Sequence, residues 1–179
     1  MVVALNTKNN GRRKNSVEKI EKAYMELLQS NERKNITVSE ISAKAGVNRN
    51  TFYANFMDID DLEEKIRERL LNEFREIYKE EIKTRSINND FLKLFYHIKE
   101  NQMLYRAYFK MGAIISAKEM NFDPALAEKY FKNEYIDYHI EFFYNGINAV
   151  IKKWLDGGCK ESPEKIESII KSEYDGRKT

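Results

Sequence analysis

The sequence predicts an all-α fold: an N-terminal three-helix helix-turn-helix domain followed by a C-terminal helical bundle. Three observations predict it. Chain breakers are scarce, with 7 Gly and 2 Pro among 179 residues, too few for the many turns of a β-rich chain. Apolar residues recur at three- and four-residue spacing over long stretches. Residues 37–56, TVSEISAKAGVNRNTFYANF, carry two short helical patterns joined by a glycine, the signature of a helix-turn-helix.

Composition bounds the class. Charged residues make up 34% and hydrophobic residues 42%, which excludes a disordered chain and allows a real core. Cys159 is the single cysteine, so no intrachain disulfide can form, as suits a reducing cytoplasm. The opening MVVALNTKNNGRRK lacks the basic segment and apolar run of a secretory signal, and no stretch approaches the roughly 18 apolar residues of a membrane span. The expectation is a cytoplasmic protein with no membrane partner. Net charge is only +2, but residues 1–55 hold ten Lys/Arg against five acidic residues. A basic front suits a nucleic-acid-binding head; it equally describes an uneven solvated surface.

Residues 1–14 read as a flexible basic arm. Asn15 with Glu18 has the spacing of a capping box, so a helix is expected from there, with Val17, Ile20, Tyr24, Leu27 and Leu28 on its apolar face. Thr37 with Glu40 can cap a second helix, whose Ile41 and Ala45 point inward. Gly46 supplies the turn, where the backbone needs a positive φ. Val47 plugs the gap between helices, and Asn48 caps a third helix running to Phe56. Asp58 caps a long helix with Asp60 and Asp61 in its first turn and a stripe of Leu62, Ile66, Leu70, Phe74, Ile77 and Glu81 or Ile82. A break is expected at Ser86–Asn89. Further helices follow from Asp90, around MLYRAYFKM, and from Asp123-Pro124 to Leu155, the last with a possible break at 132–134. Gly157-Gly158 ends that pattern, and Ser162-Pro163-Glu164 opens a final helix with Ile166, Ile169 and Ile170. The expected domains are the arm 1–14, the helix-turn-helix domain 15–57 and a helical domain 58–176.

A helix-turn-helix lays its second helix in the major groove. Here Arg49, Asn50 and Thr51 stand near its start; Arg suits guanine and Asn suits adenine by paired hydrogen bonds. Asn48 shares that N-terminus. Tyr53, Asn55, Thr37 and Ser39 suit phosphate contacts, which orient without specifying. Arg12, Arg13 and Lys14 would add sequence-blind affinity or enter a minor groove. An ordinary helical hairpin remains the alternative for 37–56.

The run TVSEISAKAGVNRNTFYANFMDIDDLEEKI, residues 37–66, resembles the TetR family of regulators. The shared elements are Ile41, Ala45-Gly46-Val47, Thr51-Phe52-Tyr53, Phe56 and Leu62, and the likeness covers about residues 12–66. HIEFFYNGINAVIKKWLDGGCKESPEKIESII resembles the last two helices of some members. Departures are Ser42 for a common alanine, Asn48 for serine, Asn55 for histidine or tyrosine, and Ile59 where a lysine usually reaches a phosphate, which implies a shallower salt dependence.

The resemblance implies a homodimer on a double-stranded DNA operator, with a C-terminal effector-binding and dimerisation domain and repression relieved by a small molecule. Operator half-sites then lie about one helical turn, ~34 Å, apart. The dimer contact is expected at Phe143, Ile147, Val150, Ile151, Trp154, Ile166 and Ile169, with intramolecular core as the other reading. An effector pocket is expected near Tyr96, Met103, Tyr108, Met111, Tyr138 and Phe142, although aromatics at such spacing also make plain core. No phosphate loop, zinc motif or nucleophile elbow is present, so neither an enzyme nor a cofactor or metal is expected. Control by a protein partner, or an architectural role on DNA, are the alternatives within the same fold.

Overall fold

The structure, a computed structural model, describes residues 7–80, 91–115 and 135–175. All regular structure among them is helical. The expected break at Ser86–Asn89, the starts at Asp90 and Asp123-Pro124, the break at 132–134 and positions Glu81 and Ile82 lie outside the described residues. The chain divides into two compact units, Met1–Arg69 and Leu70–Thr179. The boundary expected at 57/58 marks the start of a helix; the division into units falls further along that same helix.

The first unit begins with α1, Thr7–Ser30. The helix is already formed at Thr7, so the expectation of an arm through residue 14 is corrected for residues 7–14, and Asn15 is an interior residue that caps nothing. Adding residues to a helix already nucleated by its packed turns costs little. The poorest helix former in this stretch, Gly11, costs roughly 1 kcal/mol relative to alanine. Ile20, Tyr24 and Leu28 are fully buried, while Val17 and Leu27 are only partly covered. Asn31 closes the helix, its backbone N–H and its side-chain amide both donating to the Leu27 carbonyl. A 3-10 turn, Arg33–Asn35, leads to buried Ile36 and then to α2, Val38–Ala45, and α3, Arg49–Tyr53. Ile41, Phe52 and Phe56 complete the buried set of this head together with Leu62 and Ile66 from α4, Ile59–Ile77. Each such side chain contributes about 1.5–3 kcal/mol when removed from water. The α4 stripe continues as expected through Leu70 and Phe74, and Asp58 caps it by accepting from the Asp61 N–H at 2.8 Å.

A polar network ties the head together beneath that core. Glu63 is buried and accepts from the Tyr24 hydroxyl and from Arg33 Nε at 2.8 Å. Arg33 also pairs with Asp60, and Arg69 pairs with buried Glu21. Burial, with the Glu63 bond second, raises the Tyr24 pKa well above the usual phenol range, so this hydroxyl stays a donor.

The second unit contains α5, Leu92–Glu100; α6, Gln102–Lys110; α7, Ile136–Asp156; and α8, Pro163–Asp175. Leu94, Phe95, Ile98, Leu104, Tyr105, Ile147, Ile151, Trp154, Leu155 and Ile166 are buried. Phe95 meets Trp154 edge to face at 6.1 Å. The end of α7 is closed by Gly158 at φ 78°, which lets Cys159 N–H reach back to the Trp154 carbonyl at 2.9 Å. Ser162 opens α8, its Oγ accepting from Lys165 N–H at 3.3 Å.

Candidate nucleic-acid interface

Local hydrogen bonding sets the geometry of residues 37–56. Thr37 caps α2 through a complete capping box: its Oγ1 accepts from the Glu40 N–H at 3.3 Å, and Glu40 Oε2 accepts from the Thr37 N–H at 2.9 Å. The Thr37 hydroxyl and N–H hold the Glu40 carboxyl below its ordinary pKa, so the box stays charged at neutral pH. Gly46 adopts φ 66°, ψ 35°, and Val47 N–H closes the helix on the Ser42 carbonyl at 3.0 Å. A left-handed residue here turns the chain directly into α3. Asn48 caps α3, Oδ1 accepting from the Thr51 N–H at 2.7 Å and from the Thr51 hydroxyl at 2.9 Å.

These bonds sort the sequence-predicted residues. Arg49, Asn50 and Tyr53 are exposed on α3, and Ser39 is exposed on α2. Arg49 and Asn50 have side chains unengaged by other described residues, as direct base reading requires. Thr37, Asn48 and Thr51 spend their side-chain groups on the caps, so their first duty is to shape the interface. Asn55 is half-buried and donates from Nδ2 to the Thr51 carbonyl at 2.7 Å. Arg12, Arg13 and Lys14 are exposed on α1, and Arg13 Nε donates to Asn55 Oδ1 at 3.3 Å across 42 positions of sequence. The basic segment is therefore held against the helix-turn-helix. No sequence signal marks that bond, because neither residue has an unusual local spacing.

The second unit redistributes the other expected residues. Ile147, Ile151, Trp154 and Ile166 are 4% exposed or less within the single chain. Packing inside one chain already accounts for their burial, which accords with the intramolecular reading. Phe143 and Val150 are half-covered, and only Ile169 is exposed. An enclosed pocket needs covered lining residues, yet Tyr96, Tyr138 and Phe142 are exposed. The Tyr96 hydroxyl donates to Glu164. Tyr108 is buried with its hydroxyl on the Ile114 carbonyl at 3.1 Å, and Met103 and Met111 are half-covered.

Two polar arrangements in this unit escape the sequence. His97 Nδ1 lies 2.8 Å from the Tyr105 hydroxyl, and its Nε2 lies 3.4 Å from Glu73. Buried Asn148 accepts from Ile115 N–H at 2.9 Å and donates to the Ile115 carbonyl at 2.7 Å, clamping the backbone after α6.

Comparison with known proteins completes the description. Residues 85–172 match the TetR profile described as "Transcriptional regulator C-terminal region". The HTH-type dhaKLM operon transcriptional activator DhaS of Lactococcus lactis subsp. lactis (strain IL1403) is 34% identical over 90 residues, 50% of this chain and 46% of the relative. The chain thus spans about half the length of that curated relative. A solved structure titled dihydroxyacetone kinase operon activator DhaS has a TM-score of 0.46 and 22% identity, covering 89% of this chain and 96% of that one. A helix-turn-helix head thus precedes a region that matches the C-terminal part of transcriptional regulators. That C-terminal stretch is similar to TetR-type transcriptional regulators.

Proposed function

We propose that this protein is a sequence-specific DNA-binding transcription regulator that works as a homodimer. The observation that carries the reading is α3: a short helix fixed at both ends, with Arg49 and Asn50 exposed and unengaged on its first turn. Those are the side chains whose donor patterns match guanine and adenine edges. Genomic-fragment selection with purified protein, followed by footprinting, tests it. Enrichment of a pseudo-palindrome that Arg49→Ala no longer prefers supports the reading; salt-sensitive binding without sequence preference replaces it with an architectural role.

The dimer is supported by an exposed row along α7. Tyr138, Phe142, Gly146 and Ala149 recur at helical spacing, and Ile169 of α8 is exposed as well. A Cβ added at Gly146 would meet nothing within 4 Å among the described residues of the single chain. Intrachain packing therefore does not require the glycine, whereas close approach of a second copy's helix would. Sedimentation of Ala149→Glu checks this: the variant is expected to be monomeric and to bind operator weakly, and an unchanged dimer contradicts it.

Repression relieved by a small molecule is the form of control that the resemblance implies. The Lactococcus relative is named an activator, so the sign for this chain is to be read from the position of its operator relative to the promoter. The covered aromatics of α5 and α6, with half-covered Met103 and Met111, support an apolar effector site in the second unit. A second reading, control by a protein partner, is favoured by one observation: Tyr135, Tyr138 and Phe142 are 62–77% exposed on or beside one helix. Operator release by small metabolites in a pull-down free of other proteins separates the two.

A further inference from the structure

Asn55 is held at three points. Its Nδ2 donates to the Thr51 carbonyl at 2.7 Å, its own carbonyl accepts from Lys65 Nζ at 2.9 Å, and its Oδ1 accepts from Arg13 Nε at 3.3 Å. Lys65 is itself fixed, 2.9 Å from Asp61 and 4.9 Å from the Phe56 ring centroid. Asp61 lies below its ordinary pKa, first because of that Lys65 bond and then because of the Met57 N–H, so its carboxylate stays charged beside the ammonium. The charge of Lys65 is thus balanced locally. Arg13 has no carboxylate partner among the described residues, and its bond to Asn55 uses Nε alone. The two terminal guanidinium nitrogens remain available, on an exposed residue beside the C-terminal end of α3.

We propose that Asn55 is a positioning residue that presents Arg13 to a phosphate of the DNA backbone, making the N-terminal part of α1 a fixed part of the interface. This rests on the DNA-binding reading and adds a contact to it. A planar guanidinium held through Nε offers its outer edge to a phosphate in a set orientation. Arg12 and Lys14, whose side chains make no bond to a described residue, have no such anchor. A phosphate contact contributes equally to every DNA sequence and shows in the salt dependence.

The experiment measures affinity for operator and for scrambled duplex across 50–200 mM salt. Arg13→Ala is expected to weaken both duplexes equally and to flatten the log–log salt slope by about 0.9. Over that fourfold range of salt, the fall in affinity becomes about 3.5-fold smaller. Arg13→Lys keeps the charge and is expected to keep the slope. Asn55→Ala is expected to weaken binding severalfold when Arg13 is present and to add nothing beyond its small structural effect when Arg13 is alanine or lysine. Thermal melts by circular dichroism check that each variant folds; if Asn55→Ala does not, the Arg13→Ala and Arg13→Lys slopes decide. An unchanged slope for Arg13→Ala, or equal Asn55→Ala losses with and without Arg13, overturns the proposal. If the unaltered protein binds no DNA, both this proposal and the function reading fall. If it binds operator selectively while the Arg13 slopes stay equal, only this proposal falls.

Discussion

Replacing Glu63 by leucine removes the acceptor at the centre of the head. Tyr24 is fully buried and donates to Glu63; Arg33 donates to the same carboxylate at 2.8 Å with 43% of its side chain exposed. The two partners lose different amounts. An orphaned buried hydroxyl costs about 1–3 kcal/mol. The Arg33 guanidinium can turn to water and to Asp60, so its share is about 1 kcal/mol or less. Glu63→Leu is therefore expected to cost about 1–4 kcal/mol, which for a chain of this size lowers the melting temperature by roughly 2–16 °C. Removing both polar partners avoids the orphaned hydroxyl, so Tyr24→Phe in the Glu63→Leu background should recover about 1–3 kcal/mol. Because the chain has two compact units, hydrogen exchange at the α1 and α4 amides is the suitable assay, with denaturant melts alongside. Strict additivity of the two substitutions would refute the reasoning, since it would mean that Tyr24 does not depend on Glu63.

Other expectations follow from single features. Ser42 is buried and its Oγ has no hydrogen-bond partner among the described residues, so Ser42→Ala should stabilise the head by about 1 kcal/mol in a chemical melt. Gly46 sits at φ 66° with open space around a would-be Cβ; Gly46→Ala should cost about 1–2 kcal/mol from backbone conformation alone, and Gly46→Asn less. Tyr96, then Ser162, holds the Glu164 pKa down to about 2. A depressed carboxylate contributes stability that is present above its unfolded pKa and is lost as pH falls through the folded value. Thermal melts between pH 5 and 2 should thus decline less steeply in Tyr96→Phe than in the unaltered chain.

Short-range chemistry was the readable part of the sequence. Thr37 with Glu40, Gly46 and Asn48 act within a few residues of one another, and each takes the role its type and spacing imply. The apolar stripes of α1 and α4 are equally local. The start of α1 was misplaced because polar residues 7–14 carry neither an apolar period nor a stop, so nothing in them distinguishes an arm from a continued helix. Burial was harder, since one stripe of isoleucines serves equally for packing within a chain or between chains. Ile147, Ile151 and Ile166 follow the first pattern, and Ile169 is left exposed. Contacts across long separations, such as Arg13 with Asn55 or Asn148 with Ile115, depend on how helices meet and leave no mark on composition.

The most direct test of the central claim is footprinting of the unaltered protein and of Arg49→Ala on genomic fragments selected at two salt concentrations. The account predicts a protected pseudo-palindrome with half-sites about one helical turn apart. Binding should weaken as salt rises, and Arg49→Ala should lose about 1–3 kcal/mol of discrimination at one base pair per half-site. Protection with no sequence preference, or no protection at either salt concentration, would contradict it.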